Sequence, residues 1–155
     1  MSGKLKPLMS LLLVVFVLGM TGCGDPPLHK VEGNVTLGGK SYNRLLVYFR
    51  PIDEKVNQFN MGVGETDATG RLALRSTAGD GLQAGKYRVS FSCMQSDSSR
   101  GNEALGGEKL DDDRDVKIVE LVPSPYDAEE NMDQSPLEFE VKSGVNVFDF
   151  DIPKS

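Results

Sequence analysis

The octet KYRVSFSC (86–93) alternates polar and apolar residues without a break. A period of two puts Tyr87, Val89, Phe91 and Cys93 on one face and Lys86, Arg88, Ser90 and Ser92 on the other, the pattern of a strand with one buried face. The same alternation recurs along the chain. VEGNVTL groups Val31, Val35 and Leu37; RLLVYFR groups Leu45, Val47 and Phe49, with Arg44, Tyr48 and Arg50 opposite; RLALR turns Leu72 and Leu74 inward. VKIVELV (116–122) is more evenly apolar. LEFEVK then aligns Leu137, Phe139 and Val141, and VNVFDFDI aligns Phe148, Phe150 and Ile152. With no sustained helical period after residue 22, seven strands bounded by Gly, Pro, Asn and Asp predict an all-β chain, two antiparallel sheets sharing one core.

The turns carry their own chemistry. Gly38-Gly39 suits a tight hairpin with two positive φ angles, and Asp67-Ala68-Thr69-Gly70 reads as a type I turn. Ser143-Gly144 divides the last two runs into an expected hairpin. Residues 95–115, polar and Gly-rich, are expected to form a long mobile surface loop.

The N-terminus follows a different rule. Lys4 and Lys6 precede an apolar run from Leu8 to Met20, 13 residues long, where a membrane-crossing helix needs about 20. A basic start, a short apolar run and small residues at its end describe an export signal. The run closes on MTGC, Met20 to Cys23, which resembles the bacterial lipobox with Met where Leu is usual. That resemblance implies cleavage before Cys23 and a diacylglyceryl thioether on its sulfur. Several acyl chains at about 0.8 kcal/mol per buried methylene give a permanent anchor. The expected organisation is a signal peptide over 1–22, a lipidated tether over 23–30 and one β-domain over 31–155. The expected location is a cell envelope, with the membrane held through Cys23.

Charge narrows the partners. The chain carries net charge −6, and residues 1–22 contain two lysines and no acids, so the remainder carries −6 − 2 = −8. Nucleic acid is not an expected partner, because phosphates require clustered cations. If Cys23 is thioether-linked, Cys93 has no disulfide partner; on the apolar face of its strand it reads as a small buried hydrophobe.

VEGNVTLGGK, LLVYFRP, GETDATGRLAL and AGKYRVSF together resemble the carboxypeptidase-regulatory-like, transthyretin-like domains. LVPSPY followed by SPLEFEVKSGVNVFDFDI is similar to the closing half of small bacterial lipoproteins carrying that domain. The resemblance spans residues 31–152 and implies a seven-stranded antiparallel prealbumin-like (Ig-like) β-sandwich without catalytic activity. It carries over no binding residues.

Catalytic groupings are scarce. His29 is the sole histidine and lies in the tether, so no Ser-His or Cys-His dyad is expected in the domain. No cofactor and no metal ligand set is expected, although Asp111 to Asp115 packs four carboxylates into five residues and raises the question of calcium. The preferred contact surface is acidic. In a last hairpin Glu138, Glu140, Asp149 and Asp151 would face outward together, with Lys86 and Arg88, or Arg71 and Arg75, as neighbouring cations. The leading expectation is a non-catalytic accessory lipoprotein; the alternative is a binding module for an envelope protein or glycan, using that acidic hairpin or the 95–115 loop.

Overall fold

Alternating apolar residues must bury one strand face, and in the computed structural model they do. The structure describes residues 24–97, 99–107 and 116–154. Its strands, in chain order, are β1 (Leu28–His29), β2 (Val31–Leu37), β3 (Leu46–Pro51), β4 (Gly62–Thr66), β5 (Arg71–Ser76), β6 (Gly79–Asp80), β7 (Leu82–Gln83), β8 (Gly85–Ser92), β9 (Met94–Ser96), β10 (Ile118–Glu120), β11 (Glu138–Val141), β12 (Asn146–Val147) and β13 (Phe150–Ile152). One helical turn, α1 (Ala128–Asn131), is capped by Asp127, whose carboxylate accepts the Glu130 N–H at 3.1 Å. The chain is all-β.

The main sheet runs β11-β8-β3-β4-β5-β2, with β12 and β13 both on the outer side of β2 and β6 against β5. The inward residues of β2, β3, β5 and β8, and Leu45 just before β3, are buried: Val31, Val35, Leu45, Val47, Phe49, Leu72, Leu74, Val89 and Phe91 are each at most 3% exposed. Rings from opposite ends of the strand order meet. Phe148, between β12 and β13, lies 5.2 Å from both Phe49 on β3 and Phe139 on β11. Phe91 on β8 stacks with Phe150 at 5.6 Å. The sheet therefore curls until its two ends face each other across an aromatic core.

The two turns form as expected. Leu37 and Lys40 exchange both backbone hydrogen bonds, at 2.9 and 3.2 Å, around Gly38 and Gly39 with φ of 58° and 73°. Gly70 N–H donates to the Asp67 carbonyl at 2.9 Å, while Asp67 Oδ1 accepts from Thr69 N, Thr69 Oγ1 and Arg71 N.

Four expectations change. First, the last two runs are not a hairpin. β11 pairs antiparallel with β8, whereas β12 and β13 run parallel to β2 in one constant register, Asn146 opposite Val31 through Ile152 opposite Leu37. The connecting residues cross between sheet ends, held by Asn146: its Nδ2 donates to Lys142 O at 2.9 Å and its Oδ1 accepts from Lys142 N at 2.8 Å. Parallel addition satisfies the backbone edge of β2, which a hairpin on β11 would leave bare. The sheet is therefore mixed rather than wholly antiparallel.

Second, the ordered fold starts before Val31, because Leu28 and His29 pair with β7. Third, residues 99–107 of the long loop lie against the domain. Ala104 is buried, its N–H donates to Asn43 O, and Leu105 N–H donates to Met94 O, each at 2.8 Å. Fourth, VKIVELV yields only β10, paired with β9, and its Ile118 and Val119 are exposed. The run is split: Ile118 and Val119 sit in a peripheral ribbon, whereas Val122 is buried in the core with Leu121 packed against that core.

Candidate functional site

The four acidic residues of the expected contact surface do face outward, but they do not share a face. Across β11 and β8, Glu138 stands opposite Arg88 and Glu140 opposite Lys86. Glu138 reaches Arg88 Nη2 at 3.5 Å, and Glu140 reaches Lys142 at 3.5 Å. Asp149 and Asp151 belong to the other end of the sheet and serve β2. Asp149 Oδ1 accepts the Asn34 N–H at 2.8 Å, replacing a backbone carbonyl where the ladder breaks between β12 and β13. Asp151 Oδ1 accepts from Thr36 Oγ1 at 2.7 Å and Gly39 N at 2.8 Å. The Gly39 and Thr36 donors hold the Asp151 carboxyl below its ordinary range. Asp149 and Asp151 are structural acceptors for the parallel closure, Glu138 pairs with Arg88 of β8, and Glu140 pairs with Lys142 beyond its own strand.

Cys23 and residues 1–22, the expected signal peptide, lie outside the described residues, as do Asp111 to Asp115. Cys93 is fully buried, and burial, reinforced by the Glu120 charge, pushes its thiol up to about 12. The Glu120 carboxylate accepts from Cys93 N at 2.8 Å, Ser92 Oγ at 2.8 Å and Val122 N at 2.9 Å, so it pins the end of β8. His29 Nδ1 accepts the Gly144 N–H at 3.2 Å, tying β1 to the crossing after β11.

A different grouping comes from register. Arg50 on β3 and Arg88 on β8 are directly opposite each other, both on the outward face. Like charges so placed are destabilising by up to about 1 kcal/mol. The segment after α1 meets them: Asp133 Oδ1 takes Arg50 Nε at 2.7 Å, and the Asp133 backbone carbonyl accepts from Arg88 Nη1. Arg88 Nε is buried and has no hydrogen-bond partner among the described residues. A cleft of about 340 Å³ opens beside the pair, lined by Arg50, Arg88, Lys55, Ile52, Glu54 and Asp133, among others. Three cations face two carboxylates there, and one of those, Glu54, is turned toward Gln83 Nε2 at 3.2 Å. The lining itself carries one more cation than carboxylates, and Glu138 pairs with Arg88 Nη2 at 3.5 Å from outside it.

Alternation alone marked Arg50 and Arg88 as outward residues. Their adjacency depends on the β3–β8 register, and Asp133 sits in a segment without strand or helix periodicity, so no local signal joined the three.

No protein-family model, no characterised protein and no solved structure matches this chain.

Proposed function

We propose that the chain is a lipid-anchored, non-catalytic protein of a bacterial cell envelope, with its β-domain acting as an accessory or binding module. The observation that carries this reading is the MTGC run at 20–23, with the first strand beginning at Leu28. Only residues 24–27 separate Cys23 from β1, so at about 3.3 Å per residue the fold would be held within roughly 17 Å of the lipid surface. Pro26 and Pro27 stiffen that short connection. Among the described residues no helix is long and apolar enough to cross a membrane.

The non-catalytic reading rests on chemistry at the two groups best suited to catalysis. Cys93 is buried with a strongly raised pKa, and His29 is engaged with Gly144 beside the tether. For the domain type, the strand path β11-β8-β3-β4-β5-β2 closed by an interrupted β12–β13 supports the transthyretin-like plan that the turn motifs resemble. Its seventh strand would be the interrupted one, running parallel to β2.

Lipid labelling tests the anchor. Cells expressing the full chain and fed a tagged fatty acid should label the wild type and not Cys23→Ser. A wild-type chain that stays membrane-bound without the label would overturn the proposal.

A further inference from the structure

We propose that the cleft between Arg50 and Arg88 binds a phosphate-class oxyanion. Three features of this one place lead there. Two guanidinium groups are fixed side by side by the β3–β8 register, so the backbone itself positions the pair. Asp133 satisfies Arg50 Nε with its carboxylate and gives Arg88 Nη1 a backbone carbonyl, Glu138 meets Arg88 Nη2 at 3.5 Å, and Arg88 Nε has no acceptor among the described residues. Lys55 brings a third cation to the rim. A planar carboxylate such as that of Asp133 cannot serve all three, whereas a tetrahedral oxyanion presents acceptors in several directions to the planar forks of arginine. The volume of about 340 Å³ suits a phosphate with a small organic substituent rather than a macromolecule.

The cleft also has a location. Glu54 on its wall hydrogen-bonds Gln83, and Gln83 pairs with Leu28, the first residue of β1. The site therefore lies at the tether end of the domain, which favours a lipid headgroup phosphate over a soluble one. That choice of source rests on the anchored reading; phosphate binding itself does not, so loss of one leaves the test of the other intact.

Titration calorimetry of the full chain in neutral detergent micelles, with inorganic phosphate, sn-glycerol 3-phosphate and acetate as separate probes, decides the matter. Phosphate should bind, and Arg50→Gln should weaken it about tenfold, the loss of one charge-assisted hydrogen bond. Asp133→Asn removes the internal competitor and should tighten it about threefold. Melting temperatures without phosphate establish that both variants are folded. Glycerol phosphate binding more tightly than inorganic phosphate points to a headgroup, and equal binding points to free phosphate; both uphold the site. Acetate binding as tightly as phosphate would overturn the oxyanion class. No phosphate heat up to about 10 mM, or a value unchanged in Arg50→Gln, would overturn the site.

Discussion

Phe148 should be the residue on which closure of the sheet depends. Its ring touches Phe49 and Phe139 at 5.2 Å, Phe150 at 6.2 Å and Phe91 at 6.4 Å, and it is 4% exposed. Phe148→Ala removes a buried ring from between the two ends of the sheet, which costs about 3–5 kcal/mol with the cavity included. For a domain of about 130 residues the unfolding entropy converts each kcal/mol into roughly 3.6 °C, so melting should fall by about 11–18 °C. Val147→Ala next to it, on a side chain 62% exposed, should stay within about 0.5 kcal/mol of the wild type. Calorimetric or circular-dichroism melts of the full chain would read both. Combining Phe148→Ala with Phe139→Ala adds a sharper test, because contacting aromatic rings couple by about 0.5–1.5 kcal/mol. A shift no larger than that of Val147→Ala, or no coupling between Phe148 and Phe139, would refute the curled closure.

Gly33 faces the same closure from the β2 side. A Cβ there would stand 2.0 Å from the Phe148 carbonyl oxygen, all backbone, so Gly33→Ala should cost about 3 kcal/mol or more by thermal melting. Gly39→Ala, with nothing within 4 Å but φ of 73°, should lose only about 1–2 kcal/mol, and equal losses would count against the close approach. The acid limb tests Asp67 and Asp151, whose folded pKa values lie below the ordinary 3.8. Thr69 and Arg71 hydrogen bonds lower the first, and Gly39 and Thr36 lower the second. A depressed folded pKa gives stability that is present above the unfolded value and lost as pH falls through the folded one. Stability should therefore drop below about pH 4, with a shallower slope in Asp67→Asn/Asp151→Asn; an unchanged slope would remove these two carboxylates from the acid response.

The strand faces were fully legible because a period-two pattern depends only on which side of the local backbone a residue occupies. Val31, Val35, Val47, Phe49, Leu72, Val89 and Phe91 needed no knowledge of their neighbours, and all are buried. Gly38-Gly39 and the Asp67 turn were legible for the same reason: their hydrogen bonds close within four or five residues. The candidate site was hardly legible at all. Arg50, Arg88 and Asp133 are separated by 38 and 45 residues, and only register and the path of the segment after α1 bring them together.

The last run shows where local information stops. VNVFDFDI alternates whether it pairs antiparallel with β11 or parallel with β2, since either partner buries Phe148, Phe150 and Ile152. Sequence determined that these rings turn inward and the aspartates outward. Tertiary structure decided which edge received the strand, because the unpaired backbone of β2 and the approach permitted at Gly33 exist only once the sheet has curled. That choice dispersed the four carboxylates between the two ends of the sheet and left Glu138 beside the paired arginines of β3 and β8.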